Sequence, residues 1–314
     1  MKIITNLLVL IALLSTKVAT AEFNYTMLPE KVADNIYTIL TPTRDFPNPE
    51  NGGWNSNSAF VVTDEGVLLF DTGSSTVIGQ ALRGSIATVT DKPVRWIVNS
   101  HAHGDHWLGN AAFEDTVKTI YATTTVTGLI ENDGQRWVGN FNEMTKGITG
   151  NSRIVKPTLT VDQRLELNLG GTQIVLMQSG GSHSPGDLML WLPAQKVLIT
   201  GDVVYSDRMP STNAGDLNQW IETLEFLQSL NPEVVIPGHG NLTDKQGLIQ
   251  LQSLFSALWQ AVAKGIDEGM SDFEMLPQIS QALDSFKPMY PGLEDKLRRD
   301  LSHVYLQVEA ASFK

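Results

Sequence analysis

Five of the six histidines in this chain lie in three short segments, and an aspartate marks a fourth. The first segment, His101-Ala102-His103-Gly104-Asp105-His106, supplies four candidate metal ligands within six positions, and His183, Asp202 and His239 follow far along the chain. Imidazole nitrogens and carboxylate oxygens without thiolate form a donor set that zinc, iron or manganese accepts at a hydrolytic centre. A joint site therefore requires a fold that brings four distant segments to one place.

Apolar runs that end in turns predict strands interspersed with helices. Strands are predicted at 66–73, 94–99, 119–123, 164–169, 173–177, 188–192 and 197–200, and helices at 76–89, 126–148, 243–263 and 292–311. Gly170-Gly171 predicts a tight hairpin turn, and Pro277, Pro288 and Pro291 are predicted to separate the last helices. Each candidate ligand follows a predicted strand. In layered α/β folds such positions gather on loops at one edge of a rigid sheet.

The first 21 residues have the pattern of an export signal. Lys2 opens a basic region, the apolar run at 7–14 is too short to span a bilayer, and Ala19-Thr20-Ala21 offers small residues for cleavage. We therefore expect a signal peptide at 1–21 and a mature chain at 22–314 in the periplasm or outside the cell. No stable membrane anchor is expected after cleavage; the alternative is that the same segment stays on as an anchor.

Composition narrows the classes of partner and of fold. The chain has no cysteine and a formal net charge of −12. Without disulfides, an exported protein relies on packing and on metal. The acidic balance and the lack of a basic cluster disfavour nucleic acid, so a small-molecule substrate is expected. The mature length fits one large domain, with a motif core at about 57–240 and a helical segment at about 243–314.

The ordered segments resemble the motifs of the metallo-β-lactamase superfamily. The resemblance rests on HAHGDH at 101–106, Ser182-His183-Ser184, Gly201-Asp202 and Pro237-Gly238-His239-Gly240. It implies an α/β fold, the αββα four-layer sandwich, with C-terminal helices. Within the superfamily the chain is similar to exported zinc metallohydrolases of the quinoprotein-relay type.

The same resemblance implies a ligand set for two metal ions. One ion is assigned to His101, His103 and His183, the second to Asp105, His106 and His239, and Asp202 bridges both. Two Zn²⁺ ions are expected, while the donor set also admits iron or manganese. His303, far from these segments, is interpreted as a structural residue.

Asp71 is a candidate for orienting the ligands. It ends a predicted strand and matches the acidic residue that opens the superfamily's motif set. We expect it to hydrogen-bond the loop that carries the ligands and to fix their orientation. The alternative is an ordinary turn aspartate at a strand end.

Three further residues are candidates for substrate binding. Trp54 belongs to a segment at 44–54 rich in Gly, Pro and Asn, which resembles the mobile loop over the active site of related hydrolases. The alternative is a surface loop whose aromatic side chains turn inward. Tyr205 and Arg208 stand where β-lactamases of the superfamily place substrate-binding groups. For Arg208, the alternative is a salt bridge with Asp207 or Asp216.

These assignments predict a hydrolase. A metal-bridging hydroxide is expected to attack the carbonyl of an ester, thioester, lactone or amide, with Asp105 and Asp202 as catalytic groups that orient it. Two divalent ions, two carboxylates and one hydroxide leave a net charge of about +1, which favours an anionic substrate.

Three alternatives remain at the level of sequence. The first is β-lactam hydrolysis, which is disfavoured because two of the three β-lactamase subclasses use a cysteine where Asp202 stands. The second is an iron-dependent persulfide dioxygenase on the same scaffold. The third is a non-catalytic binding protein that kept the fold, against which the intact ligand set argues.

Overall fold

Two β-sheets pack face to face in the computed structural model, which describes residues 23–313. The predicted signal peptide lies outside the described residues, so its expected cleavage remains a prediction. No helix within 23–313 combines the length and the apolar composition that crossing a bilayer requires.

The first sheet has seven strands in chain order. They are β1 (Glu30–Ala33), β2 (Ile36–Ile39), β3 (Ser58–Val62), β4 (Val67–Phe70), β5 (Val94–Val98), β6 (Thr119–Ala122) and β7 (Leu159–Thr160). Strands β1 to β4 run antiparallel, and the pairings from β4 to β7 are parallel. A parallel pair needs a long crossover, and α1 (Thr76–Ala87) provides it between β4 and β5.

The second sheet has five strands in the order β12-β11-β10-β9-β8. They are β8 (Leu165–Leu169), β9 (Thr172–Gln178), β10 (Leu188–Leu192), β11 (Val197–Tyr205) and β12 (Val234–His239). Gly170 and Gly171 both have positive φ and join β8 to β9 in the predicted hairpin. Pro237 lies on the edge strand β12, where a missing amide hydrogen interrupts the fewest strand pairings.

Alternating side chains divide the molecule into four layers. In β4, Leu68 and Phe70 contact the second sheet, whereas Val67 and Leu69 contact α1. The outer face of the second sheet packs on α4 (Leu217–Ser229), α5 (Lys245–Asp267), α6 (Asp272–Ala282) and α7 (Leu293–Ser312). A short helix α2 (Gly104–Trp107) and α3 (Thr124–Met144) lie beside the first sheet. The αββα sandwich with C-terminal helices is confirmed.

The structure corrects several sequence-based boundaries. Strand β11 extends to Tyr205 rather than ending at Thr200, because Gly201 adopts a φ of 52° at an irregular pairing and the strand then resumes. Helix α3 ends at Met144, before Lys146 and Gly147, whose positive φ values stop the helix.

Pro277 does not separate two helices as predicted, since it lies inside α6. The carbonyl group that it leaves without an amide partner belongs to Phe273, which is exposed, so water can replace the lost bond. A capping box of Ser271 and Glu274 starts this helix.

Candidate metal centre

All seven predicted ligands meet at one edge of the sandwich. The segment His101–His106 follows β5 and leads through α2, His183 lies in the loop after β9, Asp202 lies in β11 and His239 ends β12. Their ligand atoms form two groups: His101, His103, His183 and Asp202 in one, and Asp105, His106 and His239 in the other. Within each group these atoms lie within 4.8 Å of one another.

In the first group, three imidazoles converge on one carboxylate. Nδ1 of His103 lies 2.9 Å from Nε2 of His101 and 3.0 Å from Nε2 of His183. Oδ2 of Asp202 lies 3.7 Å from Nε2 of His101 and 3.4 Å from Nε2 of His183. Four donor atoms of this kind around one point suit a divalent transition metal.

Asp202 connects the first group to the second. Its Oδ1 lies 3.2 Å from Nε2 of His106, and its Oδ2 lies 3.2 Å from Nε2 of His239. Asp105 faces the same two rings, with Oδ2 3.7 Å from His106 Nε2 and 3.5 Å from His239 Nε2. A Cβ atom at position 238 would overlap Oδ1 of Asp202, so the close approach of β12 to this carboxylate requires Gly238.

Buried atoms without partners show that the residues fit metal ions. Nε2 of His106 and Oδ1 of Asp202 are buried and have no hydrogen-bond partner. Leaving such atoms unpaired costs free energy, and a cation between them would remove that cost. Burial lowers the pKa of His101 well below its usual range and that of His183 to about 3, so both rings are neutral, as metal ligands must be.

For two other ligands, Asp202 and His106, charged neighbours outweigh the effect of burial on the pKa. Burial opposes ionisation of Asp202, but His239, His106 and His101 lower its pKa well below the usual range. Burial also opposes protonation of His106, yet Asp202, Asp105 and Asp71 together raise the pKa of that ring well above the usual range. The pocket therefore holds ionised carboxylates that a divalent cation would neutralise.

Asp71 is placed where its predicted orienting role requires. Its Oδ1 accepts a hydrogen bond from the Ser100 amide at 2.8 Å, and its Oδ2 accepts from the Ser100 hydroxyl at 2.7 Å. Nδ1 of His106 lies 2.7 Å from Oδ2. Because a carboxylate only accepts, Nδ1 carries a proton, and Nε2 is the ring nitrogen that faces the site; a cation bound at Nε2 would displace the second proton that the raised pKa favours. Ser100 in turn lies 2.9 Å from His101 Nδ1, so one aspartate orients two rings.

The segment before β3 supports the second group, and sequence reasoning missed it. Asn55 Nδ2 donates to Oδ2 of Asp105 at 2.9 Å, and the Asn55 carbonyl lies 2.8 Å from Nδ1 of His239. The Ser56 hydroxyl donates to the Asp105 carbonyl, and Asn57 Nδ2 donates to the carbonyls of Pro237 and Gly240. The only sequence signal was a run of small polar residues, Asn55 to Ser58, at the edge of the expected motif core.

Asp187 organises the loop that carries His183, and it was also missed. Its carboxylate accepts hydrogen bonds from the amides of His183 and Ser184 and from the hydroxyls of Ser184 and Ser179. Burial raises the pKa of Asp187 to about 6, although these donors favour the ionised form. The aspartate follows Pro185-Gly186 in the sequence, which indicates a turn but not this role.

A cavity of about 340 Å³ opens onto the ligands. Besides His103, Asp105, His183, Asp202 and His239, it is lined by side chains of α3, α7 and the loop before β3.

Tyr205 and Arg208, both predicted to bind substrate, line it as well. Arg208 makes no ion pair with Asp207 or Asp216, the predicted alternative; its Nη1 donates to the Arg44 carbonyl at 3.0 Å.

Trp54 does not line this cavity, contrary to the substrate-binding role predicted for it. Its indole is 7% exposed, packs with Ile39 and Ile78, and donates from Nε1 to the Ser56 carbonyl. The apolar ring gains more from burial in the core than from a place in a polar cavity. Phe46, from the same segment, lines the cavity instead.

Two further residues, Trp107 beside the first ligand segment and His303, which was interpreted as structural, have structural contacts. Trp107 is fully buried and donates to the Ala102 carbonyl, as packing requires. His303 lies away from both ligand groups, with Nε2 3.2 Å from the Gly215 carbonyl.

Known sequences share the region that carries the ligands. The model of the metallo-beta-lactamase superfamily matches residues 51–239. The linear primary-alkylsulfatase of Pseudomonas sp. is 26% identical over 211 residues, which cover 56% of this chain and 40% of that protein. A metallo-beta-lactamase of Chryseobacterium indologenes is 26% identical over 193 residues, covering 59% of this chain and 72% of that protein. The match to the alkylsulfatase thus spans less than half of that relative's length.

Solved structures share the fold. A metallo-beta-lactamase from Pontibacter korlensis superposes with a TM-score of 0.58 at 22% identity, covering 73% of this chain and 99% of that chain. A stereoselective inverting sec-alkylsulfatase from Pseudomonas sp. superposes with a TM-score of 0.66 at 17% identity, covering 90% of this chain and 50% of that chain.

Proposed function

The chain belongs to the metallo-β-lactamase superfamily, and on that premise we propose that it is a hydrolase whose seven clustered side chains hold two divalent metal ions. The observation that carries the proposal is the position of Asp202, whose two oxygens each lie 3.2 Å from a ring nitrogen of the second group while Oδ2 also faces the first. A carboxylate placed in this way could bind two adjacent cations.

When bound, a pair of divalent ions polarises a carbonyl group and lowers the pKa of water towards neutrality. The protein's own groups orient the reactants. Asp105 and Asp202 accept hydrogen bonds from the attacking water, since both are buried and ionised at the cavity. Asn55 holds the Asp105 carboxylate through Nδ2, and Tyr205 holds that of Asp202 through its hydroxyl. Fixing both carboxylates reduces the reorganisation needed during reaction.

We propose a carbonyl substrate: an ester, thioester, lactone or amide. The experiment is metal quantitation of purified protein together with a panel of neutral 4-nitrophenyl esters, lactones, thioesters and 4-nitroanilide amides. Two metal ions per chain and turnover of at least one class are expected. Asp202→Ala should lose both, whereas Asp64→Ala, at an exposed surface position, should keep both. A panel in which the metal-loaded chain turns over nothing would refute the proposal.

A second candidate is hydrolysis of sulfate esters. It is favoured by the name of the linear primary-alkylsulfatase relative and by cationic side chains in the cavity wall. An alkyl sulfate in the same panel separates it from carbonyl hydrolysis, because sulfate release would exceed ester turnover.

Two further measurements test β-lactam hydrolysis, which the β-lactamase relatives suggest, and the identity of the metal. A coloured cephalosporin tests β-lactam hydrolysis, and turnover near background would exclude it. Zinc is the expected metal. Iron, found together with oxygen consumption on a thiol substrate, would favour the persulfide dioxygenase instead.

Export is also a proposal, and it rests on the pattern of residues 1–21. N-terminal sequencing of protein from an exporting host should give a chain that begins near Glu22. Retention of Met1 on the exported protein would contradict it.

A further inference from the structure

Cationic side chains line the cavity of a chain whose formal net charge is −12. Three cationic side chains line it: Arg208, Lys296 and Arg299. Arg299 is neutralised by Asp300, with Nε 2.6 Å from Oδ1. Among the described residues, neither Arg208 nor Lys296 lies within ion-pair distance of a carboxylate. Two cations therefore line the cavity without a carboxylate in ion-pair contact.

Lys296 is held in place without an anion. Its ammonium lies 4.9 Å from the centre of the Phe46 ring, and the side chain is half-buried on α7. Burial, reinforced by Arg299 and Arg208, lowers the pKa of Lys296 to about 8. Removing a cation from water without pairing it costs free energy, and metal ions in the same cavity would add to that cost. An anionic ligand that pairs with Lys296 would offset this free-energy cost.

Arg208 brings this charge close to the candidate catalytic groups. Its guanidinium lies 5.4 Å from the centre of the Tyr205 ring, and the hydroxyl of Tyr205 is bonded to Asp202. The stacking contact and the bond to the Arg44 carbonyl fix the guanidinium but leave its charge unpaired. A guanidinium with free donors suits carboxylate or sulfate oxygens.

An apolar face borders the same cavity. Trp137, Phe141 and Met144 are spaced along one side of α3 and all line the cavity. At its inner end the Trp137 ring lies 5.5 Å from the ring of the candidate ligand His103. The Phe141 ring follows, 5.6 Å from that of Trp137. Met144 is 39% exposed at the outer end. This surface suits an aliphatic or aromatic segment several carbons long.

From these two surfaces we infer that the cavity binds an amphiphilic substrate, whose anionic oxyacid group contacts Lys296 and Arg208 and whose apolar segment lies against the α3 face. The inference rests on the proposed function, because it assumes that this cavity is the substrate site. Lys296 lies on the C-terminal helix α7, outside the superfamily match at 51–239, and the inference makes it a specificity determinant of this chain.

Equilibrium binding tests the inference without requiring turnover. Octanoate, octane-1-sulfonate and octanamide are titrated calorimetrically into the zinc-loaded protein. The two anions should bind at least tenfold more tightly than the amide, and Lys296→Gln should reduce that ratio about tenfold, with Lys296→Arg restoring most of it. Lys264→Gln, an exposed lysine on α5, should leave the ratio unchanged. Equal affinity for octanoate and octanamide in the wild type would overturn the inference.

A pair of esters connects the binding site to catalysis. The 4-nitrophenyl monoester of adipic acid and 4-nitrophenyl hexanoate differ mainly in a terminal carboxylate. The wild-type ratio of their kcat/KM values should favour the monoester, and Lys296→Gln should lower that ratio through KM. If neither ester reacts, carbonyl hydrolysis fails while the calorimetric result still decides the inference. If both react equally well, hydrolysis stands and the inference fails.

The chemical class of the anionic group and the role of the α3 face are measured separately. Tighter binding of octane-1-sulfonate than of octanoate would indicate a sulfate-type headgroup, and the reverse a carboxylate. Met144→Gln should reduce the preference for octanoate over butyrate, and an unchanged preference would remove the α3 face from the proposal. Metal content is measured for every variant, since an equal content shows that the ligands are intact.

Discussion

The hydroxyl of Tyr205 donates a hydrogen bond to Oδ2 of Asp202, three residues before it in β11. The same ring stacks on the imidazole of His239, with 5.1 Å between centroids and 21° between planes. Burial and the charge of Asp202 raise the pKa of Tyr205 well above its usual range, so the hydroxyl remains a donor. One side chain therefore orients a residue from each ligand group.

Tyr205→Phe tests this contact. The ring can still stack on His239, but the carboxylate of Asp202 loses its donor. Metal affinity or kcat/KM should fall by about tenfold to a hundredfold, the usual effect of removing a group that orients a ligand. Tyr37→Phe, on β2 and away from the centre, is the matched control. Unchanged metal affinity and unchanged activity would show that the contact has no functional role.

Ligand substitution tests the two-metal assignment. Asp202→Ala removes a carboxylate that faces both groups, so both metal sites should weaken. His101→Ala removes a donor from the first group alone, so at limiting zinc the second ion should be the better retained. Both variants should lose about a thousandfold in kcat/KM and keep the circular dichroism spectrum of a folded chain. Wild-type hydrolysis in either variant would refute the assignment.

Asp71→Asn tests whether Asp71 orients the metal ligands without binding metal itself. Asp71 has a φ of 57°, a conformation that asparagine also tolerates, so the backbone should be preserved. Asparagine has only one accepting oxygen, whereas Asp71 accepts from the Ser100 amide, the Ser100 hydroxyl and His106 Nδ1. Zinc affinity should fall by about tenfold to a hundredfold. A competition titration against a chelator measures it, and an unchanged affinity would assign Asp71 to the turn alone.

The pKa of Lys296 makes two pH dependences measurable. The ammonium faces Arg299 and Asp300 on its own helix and Arg208 and Asp202 on β11 and its following turn. Because this pKa is about 8, affinity for octanoate should fall as pH rises from 7 to 9. In Lys296→Gln the affinity for octanoate should change less with pH over that range. A wild-type profile as flat as that of the variant would contradict a charged contact.

The same shift predicts the sign of a stability change. The folded pKa of Lys296, about 8, is below the unfolded value of 10.5, so the unfolded chain binds more protons between these pH values. The unfavourable contribution of the charged lysine is complete below pH 8 and is lost as pH rises towards 10.5. At pH 7 Lys296→Gln should therefore have the higher free energy of unfolding. Denaturant titrations at pH 7 and pH 10 should show that this difference shrinks, and a constant difference would indicate a packing effect.

Local patterns were sufficient for much of the fold. The apolar runs at β4, β5 and β8 to β10 and the helical spacing of α1, α5 and α7 predict those elements, because burial on one face imposes a period of two or of 3.6. Helix α4 had a comparable signal, with Asp216 as its N-cap and apolar residues at helical spacing, but it was not predicted. Strands β1 and β2 have four residues each, which is too short for alternation to be distinctive.

The sequence by itself predicted the seven candidate ligands, because their motifs resemble, in order, those of the metallo-β-lactamase superfamily. The tertiary structure decided what surrounds them. Only packing shows that Asn55 and Asp187 orient ligands, that Trp54 turns into the core and that Lys296 of α7 enters the cavity. These residues have ordinary local sequences, and their roles come from contacts between segments far apart in the chain, which no local pattern encodes.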